Sequence, residues 1–175
     1  MNEVIKAIHE RRSIRKFKPD MPKHEDIDAI IEAGLYAASG HGWQSSIIIA
    51  VTNPELRNEI AHDNCKIGGW QEGFDPFYGA PVILVVLADK TRPTHVYDGS
   101  LTLGNMMLAA HSLGLGSIWI HRAREEFDTD TYKKLLADLG VNGDYEGIGH
   151  CAIGYIDGQA PAPVARKEGR VFYAE

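Results

Sequence analysis

Four cationic side chains lie close together near the start of the chain, in the stretch Arg11-Arg12-Ser13-Ile14-Arg15-Lys16-Phe17. If this stretch is extended, Arg11, Ser13 and Arg15 point to one side, whereas Arg12, Ile14 and Lys16 point to the other. Two guanidinium groups flanking a hydroxyl suit a phosphate, because each can donate charge-assisted hydrogen bonds. A solvated run of charges after a helix is the alternative interpretation of this pattern.

A second group of cations, Arg166, Lys167 and Arg170, lies near the end of the chain and could converge with the first on one phosphate. The sequence contains no Walker pattern, which argues against a triphosphate cradle. Gly114-Leu115-Gly116 and Gly147-Ile148-Gly149 resemble parts of a dinucleotide fingerprint, but neither continues to a third glycine. Neither is expected to open a helix after a strand, as that mechanism requires. The cations therefore favour a mononucleotide.

Side chains suited to metal binding or covalent catalysis do not form a recognisable motif. The eight histidines show no i,i+4 pairing and no His-Glu-x-x-His, so no metal site is predicted. There is no Gly-x-Ser-x-Gly elbow, and neither Cys65 nor Cys151 lies in the signature of a catalytic thiol. Such a protein is expected to take its chemistry from a cofactor.

The overall composition predicts one domain over residues 1–175. The net charge of −6 and the pI near 5.7 argue against binding to nucleic acid or to anionic membranes. Two cysteines and the lack of a signal-peptide pattern favour a reduced, cytoplasmic setting. Residues 99–121 contain no charged side chain, but glycines and polar residues interrupt them, which predicts a buried helix followed by a strand.

Hydrophobic periodicity predicts helices over residues 2–10, 24–38, 54–64, from about 98 or 100 to 113, and 130–139. Buried strands are predicted over 47–51, 81–88, 117–121 and 147–156. Asp98 or Ser100 is the expected N-cap of the fourth helix, which is apolar on nearly all sides and therefore suits a subunit interface. Residues 39–44 form a small-residue loop, and residues 67–79 an irregular, aromatic-rich cover.

Five segments, in order along nearly the whole chain, resemble the nitroreductase superfamily of FMN-dependent oxidoreductases. The first is the cationic stretch, and the second is Ala33-Gly34-Leu35-Tyr36-Ala37-Ala38-Ser39-Gly40-His41. Tyr78-Gly79-Ala80-Pro81 follows, and then Asn105-Met106-Met107-Leu108-Ala109-Ala110 with Gly114-Leu115-Gly116-Ser117-Ile118-Trp119. Gly154-Tyr155 and the basic tail close the pattern.

The resemblance implies an α+β sandwich, with a central, mostly antiparallel sheet flanked by helices, that forms an intertwined homodimer with FMN in two clefts at the interface. It assigns the FMN phosphate and ribityl chain to Arg11, Arg12, Ser13 and Arg15. Arg15 would also lie near the flavin pyrimidine edge and favour the reduced anion. The partner subunit would contribute the loop residues Ser39, Gly40, His41, Gly42 and Gln44. Gly116, Ser117 and Ile118 would offer backbone to the ring, and Lys167 and Arg170 would close on the phosphate.

The activity implied is ping-pong hydride transfer from NADH or NADPH, through flavin N5, to an electrophile such as a nitroaromatic or a quinone. No protein acid or base is required for it. Two departures from the family pattern concern the loop: Gly42 stands where an Asn is common, and Ser45-Ser46 follow Gln44 in place of Pro-Trp. These departures leave a second hypothesis, a flavin-binding module that acts as a carrier, sensor or regulator without turnover.

Overall fold

The computed structural model describes all 175 residues and contains six α-helices and four β-strands. The helices are α1 (Glu3–Glu10), α2 (His24–Leu35), α3 (Pro54–Ile67), α4 (His95–Ser112), α5 (Ala123–Phe127) and α6 (Asp130–Asp138). The strands are β1 (Ser46–Val51), β2 (Val82–Asp89), β3 (Gly116–Ile120) and β4 (Tyr145–Gly154). A single 3-10 turn, Gly40–Gly42, lies between α2 and β1.

The strands form one antiparallel sheet in the order β1-β2-β4-β3. In the central pair of strands, Leu84 of β2 lies opposite Cys151 of β4. In the neighbouring pair, Ile118 of β3 lies opposite Ala152 of β4. One irregularity interrupts the β2–β4 ladder between Val86 and Leu87. The predicted α+β class with an antiparallel sheet flanked by helices is confirmed.

Strand β2 is buried on both faces, which is why its sequence is a continuous apolar run instead of an alternating one. Ile83, Val85 and Leu87 pack into a core with α3, α5 and α6. The intervening residues Val82, Leu84 and Val86 pack into a second core with α2 and α4. Helices therefore cover both faces of the sheet. None of the helices is both long enough and apolar enough to cross a bilayer.

A buried polar network lies in the first core, between Asn64 of α3, Glu126 of α5 and His150 of β4. Asn64 Nδ2 donates to Glu126 Oε1 at 2.7 Å and to the His121 carbonyl at 2.8 Å. His150 Nε2 lies 2.6 Å from Glu126 Oε2, in a close contact whose angle falls outside hydrogen-bond geometry. His150 Nδ1 faces the Ile120 carbonyl at 3.1 Å. The network thus joins two helices to the end of β3 and to the centre of the sheet.

Three predictions about the elements before β2 were wrong. Strand β1 lies at the edge of the sheet and is mostly half-buried, because a short apolar run does not distinguish an edge strand from a central one. Helix α2 ends at Leu35, and both Leu35 and Ala38 are exposed instead of facing the core. Helix α3 continues one turn beyond the predicted end, to Ile67.

The predicted N-caps of α4 were also wrong. The helix begins at His95 after Thr94, so Asp98 and Ser100 lie inside it. The sequence did not predict α5, a five-residue helix that follows Arg122 in the left-handed region (φ 81°). Segments this short carry too little periodicity to detect.

Candidate cofactor site

The cationic stretch runs beside the edge strand β3. Ile14 N donates to the Ser117 carbonyl at 3.0 Å, and Ser13 pairs with Ser117 in an isolated parallel bridge. Ile14 and Phe17 are both buried in the first core although they are three residues apart. The predicted strict alternation therefore does not hold to the end of the stretch, which is anchored to the protein at these two positions.

Gly116 lets the stretch approach β3 this closely. A Cβ at Gly116 would lie 2.9 Å from a side-chain carbon of Ile14 and from one of Ile156, and 3.1 Å from Phe17. Contacts this short would force the stretch away from the strand. Packing alone accounts for a glycine here, and the contact of its backbone with a flavin ring stays a prediction.

Two of the four cations are committed to partners within the chain. The Arg12 guanidinium donates to the carbonyls of His9 at 2.6 Å and of Arg11 at 2.7 Å, at the C-terminal end of α1. Lys16 pairs with Asp157 at 2.6 Å, and this hydrogen bond holds the pKa of Asp157 below its ordinary value. Arg12 therefore fixes the backbone at the end of α1, and Lys16 ties the stretch to the segment that follows β4.

Arg11, Ser13 and Arg15 are not committed. Arg11 Nη1 is buried and has no hydrogen-bond partner, and Arg15 is exposed and makes no ion pair. The side chain of Arg11 lies near Cys151, where burial raises the pKa of the thiol to about 12 and the guanidinium charge opposes that rise. An unpaired buried donor costs about 1–3 kcal/mol. The site therefore offers positive charge and a buried donor that an anion would satisfy.

Beside the cationic stretch, Ser117 and Ile118 of β3 offer the candidate site backbone and not side chains, because their side chains are engaged elsewhere in the chain. Ser117 Oγ donates to the Met107 carbonyl of α4 at 3.3 Å, and the side chain of Ile118 points into the first core. Within one chain the structure therefore brings Arg11, Ser13 and Arg15 together with Gly116, Ser117 and Ile118. This is the first half of the predicted site.

The predicted loop forms the second half, and it is held in an unusual backbone conformation. His41 and Gln44 both adopt left-handed φ values, of 51° and 49°, and Gly42 between them has φ 68°. Ser39 Oγ accepts a hydrogen bond from Gln44 N at 3.0 Å across the turn. For the two non-glycine residues such conformations cost of order 1–3 kcal/mol each and persist only where surrounding contacts hold them.

Asp98 supplies those contacts, and sequence reasoning missed it as a site residue. Its carboxylate accepts from Gly40 N at 3.0 Å, from Ser45 Oγ at 2.7 Å and from Thr94 Oγ1 at 3.1 Å. Burial tends to raise the pKa of Asp98, but these hydrogen bonds outweigh it and lower the pKa. The signal in the sequence was an acid at the edge of a long uncharged segment, which was interpreted as a helix cap.

Replacing Asp98 by alanine is expected to loosen the loop and to destabilise the fold by about 1–3 kcal/mol, because buried donors lose their acceptor. The lowered pKa means that the carboxylate's contribution is fully present above pH 3.8 and is lost as the pH falls through its folded value. The stability difference between wild type and Asp98→Asn should therefore stay constant near neutral pH and shrink in acid. Urea titrations at several pH values measure this, with exposed Asp20→Ala as the control. An effect equal to that control would contradict the role of Asp98.

The two halves lie apart in a single chain. Asp98 and Met107 are nine residues apart on α4, which corresponds to about 14 Å along a helix. The loop leads into β1 at one edge of the sheet, whereas the cationic stretch lies against β3 at the other. One chain therefore does not bring Ser39, Gly40, His41, Gly42 and Gln44 to Arg11 and Arg15.

The basic tail does not complete the first half within the chain either. Beyond Gly158 the residues are exposed and form no helix or strand. Lys167 and Arg170 make no ion pair, and Arg166 bonds only to the nearby Val164 carbonyl. The closing of Lys167 and Arg170 on the phosphate stays a prediction.

Open grooves flank the loop and helix α3. A groove of about 640 Å³ is lined by residues 35–39 with Gly42 and Gln44. Two further cavities, of about 540 and 690 Å³, lie beside α3 and contain none of the predicted cofactor residues. The structure contains no group of three or more His, Cys, Asp or Glu residues suited to a metal ion.

Residues 8–155 match a family model that is described as the nitroreductase family. An FMN reductase [NAD(P)H] of Bacillus subtilis is 31% identical over 146 residues, which cover 71% of this chain and 56% of that protein. An NADPH-flavin oxidoreductase of Vibrio harveyi is 34% identical, over 69% of this chain and 54% of that protein. The chain thus spans little more than half the length of these curated relatives.

Solved structures match over the whole chain. A nitroreductase from Bacteroides fragilis with bound FMN superposes with a TM-score of 0.91 at 28% identity and covers all of both chains. A nitroreductase from Desulfitobacterium hafniense with bound FMN gives a TM-score of 0.88 at 30% identity, again over the full length of both. The fold described above is therefore the fold of these proteins.

Proposed function

The chain belongs to the nitroreductase family, and on that premise we propose that it is an FMN-dependent oxidoreductase that uses NADH or NADPH to reduce an electrophile such as a nitroaromatic or a quinone. One observation carries the proposal. Of the residues in the cationic stretch, Arg11, Ser13 and Arg15 are uncommitted, whereas Arg12 and Lys16 are held by the chain itself. The free set is the one expected to hold a phosphate.

The residues present fit FMN. The buried, unpaired nitrogen of Arg11 would donate to the phosphate, and the Ser13 hydroxyl two residues further along the stretch would add a second donor. Exposed Arg15 would place positive charge where the ring carries excess electron density. Bound FMN would supply the hydride chemistry. The chain's own residues bind and orient it and set the charge around it, and Arg12 is assigned to the structure of α1 instead of to the cofactor.

A second copy of the chain is part of the proposal, because each site needs a loop that its own chain places elsewhere. Exposed apolar residues support this: Tyr97 (71% exposed) and Leu101 (50% exposed) lie on one stripe of α4. Gly104 continues that stripe, and a Cβ there would meet nothing within the chain. A helix-interior glycine costs about 1 kcal/mol relative to alanine, so its use here suits the close approach of another helix. The apolar face of α1 and the tail residue Phe172 are also exposed.

Leu101→Glu is expected to convert a dimer into a monomer and to remove FMN at the same time, because it places a charge in the proposed helix contact. Light scattering after gel filtration and the flavin absorbance of the same fractions measure both effects. Leu139→Glu is the matched control, since Leu139 is 54% exposed at the end of α6 and away from this stripe. A monomeric wild type, or a Leu101→Glu dimer that retains flavin, would overturn the shared site.

Purified wild-type protein is expected to be yellow, with an oxidised-flavin spectrum, and to bleach when NADH or NADPH is added without oxygen. Adding a quinone or a nitroaromatic should restore the colour. A colourless protein that takes up no added FMN would refute the proposal. A yellow protein that bleaches no faster than free FMN would favour the flavin-binding module.

One departure from the family pattern has a structural explanation that does not involve catalysis. Ser45 is buried and donates to Asp98 at 2.7 Å, so its hydroxyl takes part in fixing the loop. Gly42 is exposed with φ 68° and has no neighbour where a side chain would be. Ser45 therefore supports the geometry of the site, and Gly42 leaves space beside it.

A further inference from the structure

Three side chains form a compact aromatic and cationic cluster at the tip of the loop, which we call the His41 cluster: His41, Trp43 and Arg92. The rings of His41 and Trp43 have centroids 4.8 Å apart and are tilted by 31°. The guanidinium carbon of Arg92, from the connection between β2 and α4, lies 5.2 Å from the centroid of the Trp43 ring. All three side chains are exposed to solvent. The cluster thus offers ring surface and positive charge at one place.

The charge of Arg92 is available to a ligand. Its one acidic neighbour is Asp89, and the contact from Nε to Oδ2 is long, at 3.6 Å. Asp89 instead accepts shorter hydrogen bonds from Thr91 N at 2.9 Å and from Thr91 Oγ1 at 2.8 Å. No hydrogen bond uses the terminal nitrogens of Arg92, so both remain free to donate to a carboxylate in the bidentate manner.

The cluster is formed in advance of any ligand. His41 and Gln44 are held in left-handed conformations by the contacts of Ser39 and Asp98 described above. Trp43 N also donates to the Gly40 carbonyl at 3.0 Å, which fixes the backbone between the two rings. A ligand that stacks here therefore does not have to order the loop first, and less binding free energy is lost.

We propose that the His41 cluster binds a planar aromatic anion, whose ring packs on His41 and Trp43 and whose carboxylate pairs with Arg92. Binding to the isolated surface needs no flavin. In combination with the proposed function, which places this loop at the flavin of the partner subunit, the cluster selects aromatic carboxylates among the electron acceptors. The chain's net charge of −6 repels anions in general, so a local cation is needed for this preference.

Isothermal titration of the purified protein with 2-naphthoate and with uncharged 2-naphthamide tests the proposal. The carboxylate is expected to bind about 2–5-fold more tightly than the amide, since an exposed ion pair contributes about 0.4–1 kcal/mol. Arg92→Gln should remove this difference and leave the amide unaffected, and Trp43→Ala should weaken both ligands. Lys90→Gln, in the same connection but paired with Asp144, is the control and should keep the difference.

Equal affinities for the two ligands in the wild type, or a preference that survives Arg92→Gln, would overturn the inference. Flavin content recorded on the same samples separates it from the proposed function. A colourless protein that prefers naphthoate retains this site and rejects the flavin enzyme. A yellow protein that bleaches with NAD(P)H but shows no preference supports the flavin enzyme and rejects this site. In such a yellow protein, turnover of 4-nitrobenzoate against 4-nitrobenzamide should follow the same ratio and the same dependence on Arg92.

Discussion

Arg11→Ala is expected to weaken FMN binding by about 10–100-fold, because a hydrogen bond from a charged donor contributes about 1.5–3 kcal/mol. The buried Nη1 of Arg11 has no hydrogen-bond partner in the chain, so its removal breaks no hydrogen bond of that atom. The loss should therefore appear in the dissociation constant for FMN and hardly at all in the stability of the apoprotein. Fluorescence titration of the apoprotein with FMN and urea denaturation measure the two quantities separately.

Lys16→Ala is the matched control for this result. Lys16 belongs to the same stretch and carries the same charge, but its ammonium group pairs with Asp157 at 2.6 Å. Removing it should change FMN affinity by less than about 5-fold, since an exposed ion pair contributes about 0.2–1 kcal/mol. Equal losses from Arg11→Ala and Lys16→Ala would mean that only the total charge of the stretch matters. That outcome would refute the assignment of separate roles.

Glu126→Ala is expected to destabilise the fold by about 2–5 kcal/mol, because two buried polar side chains lose their partner and a cavity is left behind. His150 and Asn64 would both lose their contact with the carboxylate, and all three residues are fully buried. A domain of this size is stable by about 5–15 kcal/mol in total, so the variant should melt at a much lower temperature. Urea denaturation followed by far-UV circular dichroism measures the loss.

The double variant Glu126→Leu with His150→Met tests whether the loss of stability comes from the missing polar partner or only from the change in side-chain volume. Replacing both partners by apolar residues of similar size removes the unsatisfied polar groups, so the double variant should be more stable than either single variant. Glu125→Ala, at the exposed neighbouring position, should have an effect within about 0.5 kcal/mol of zero. Additive losses in the double variant would show that the two side chains are not coupled.

Local patterns in the sequence predicted most of the elements and the first half of the site. The apolar run of β2 and the helical spacing of Ile27 and Ile30 each depend on neighbouring residues, and the structure confirms both. The cationic stretch was recognisable for the same reason, because its residues are contiguous. The sequence predicted that Lys16 points away from the phosphate-binding side. It did not predict the ion pair with Asp157, because that residue is remote in the sequence.

Features that depend on distant residues were not predictable from one sequence. Asp98 contacts Gly40 and Ser45, more than fifty residues earlier in the chain, so residue type alone suggested a helix cap. The network of Asn64, Glu126 and His150 gave no signal either, because nothing local marks a buried carboxylate. The edge position of β1 follows from the strand order, which no hydrophobic pattern specifies.

The separation of the two half-sites along α4 has a consequence for mixed assemblies. In a dimer of the proposed kind, each cleft takes its cationic stretch from one chain and its loop from the other. A chain with a defective Arg11 and a chain with a defective Asp98 would therefore form a heterodimer with one doubly damaged cleft and one intact cleft. Two inactive proteins would then complement each other, and each heterodimer formed by subunit exchange would regain one of its two cofactor clefts.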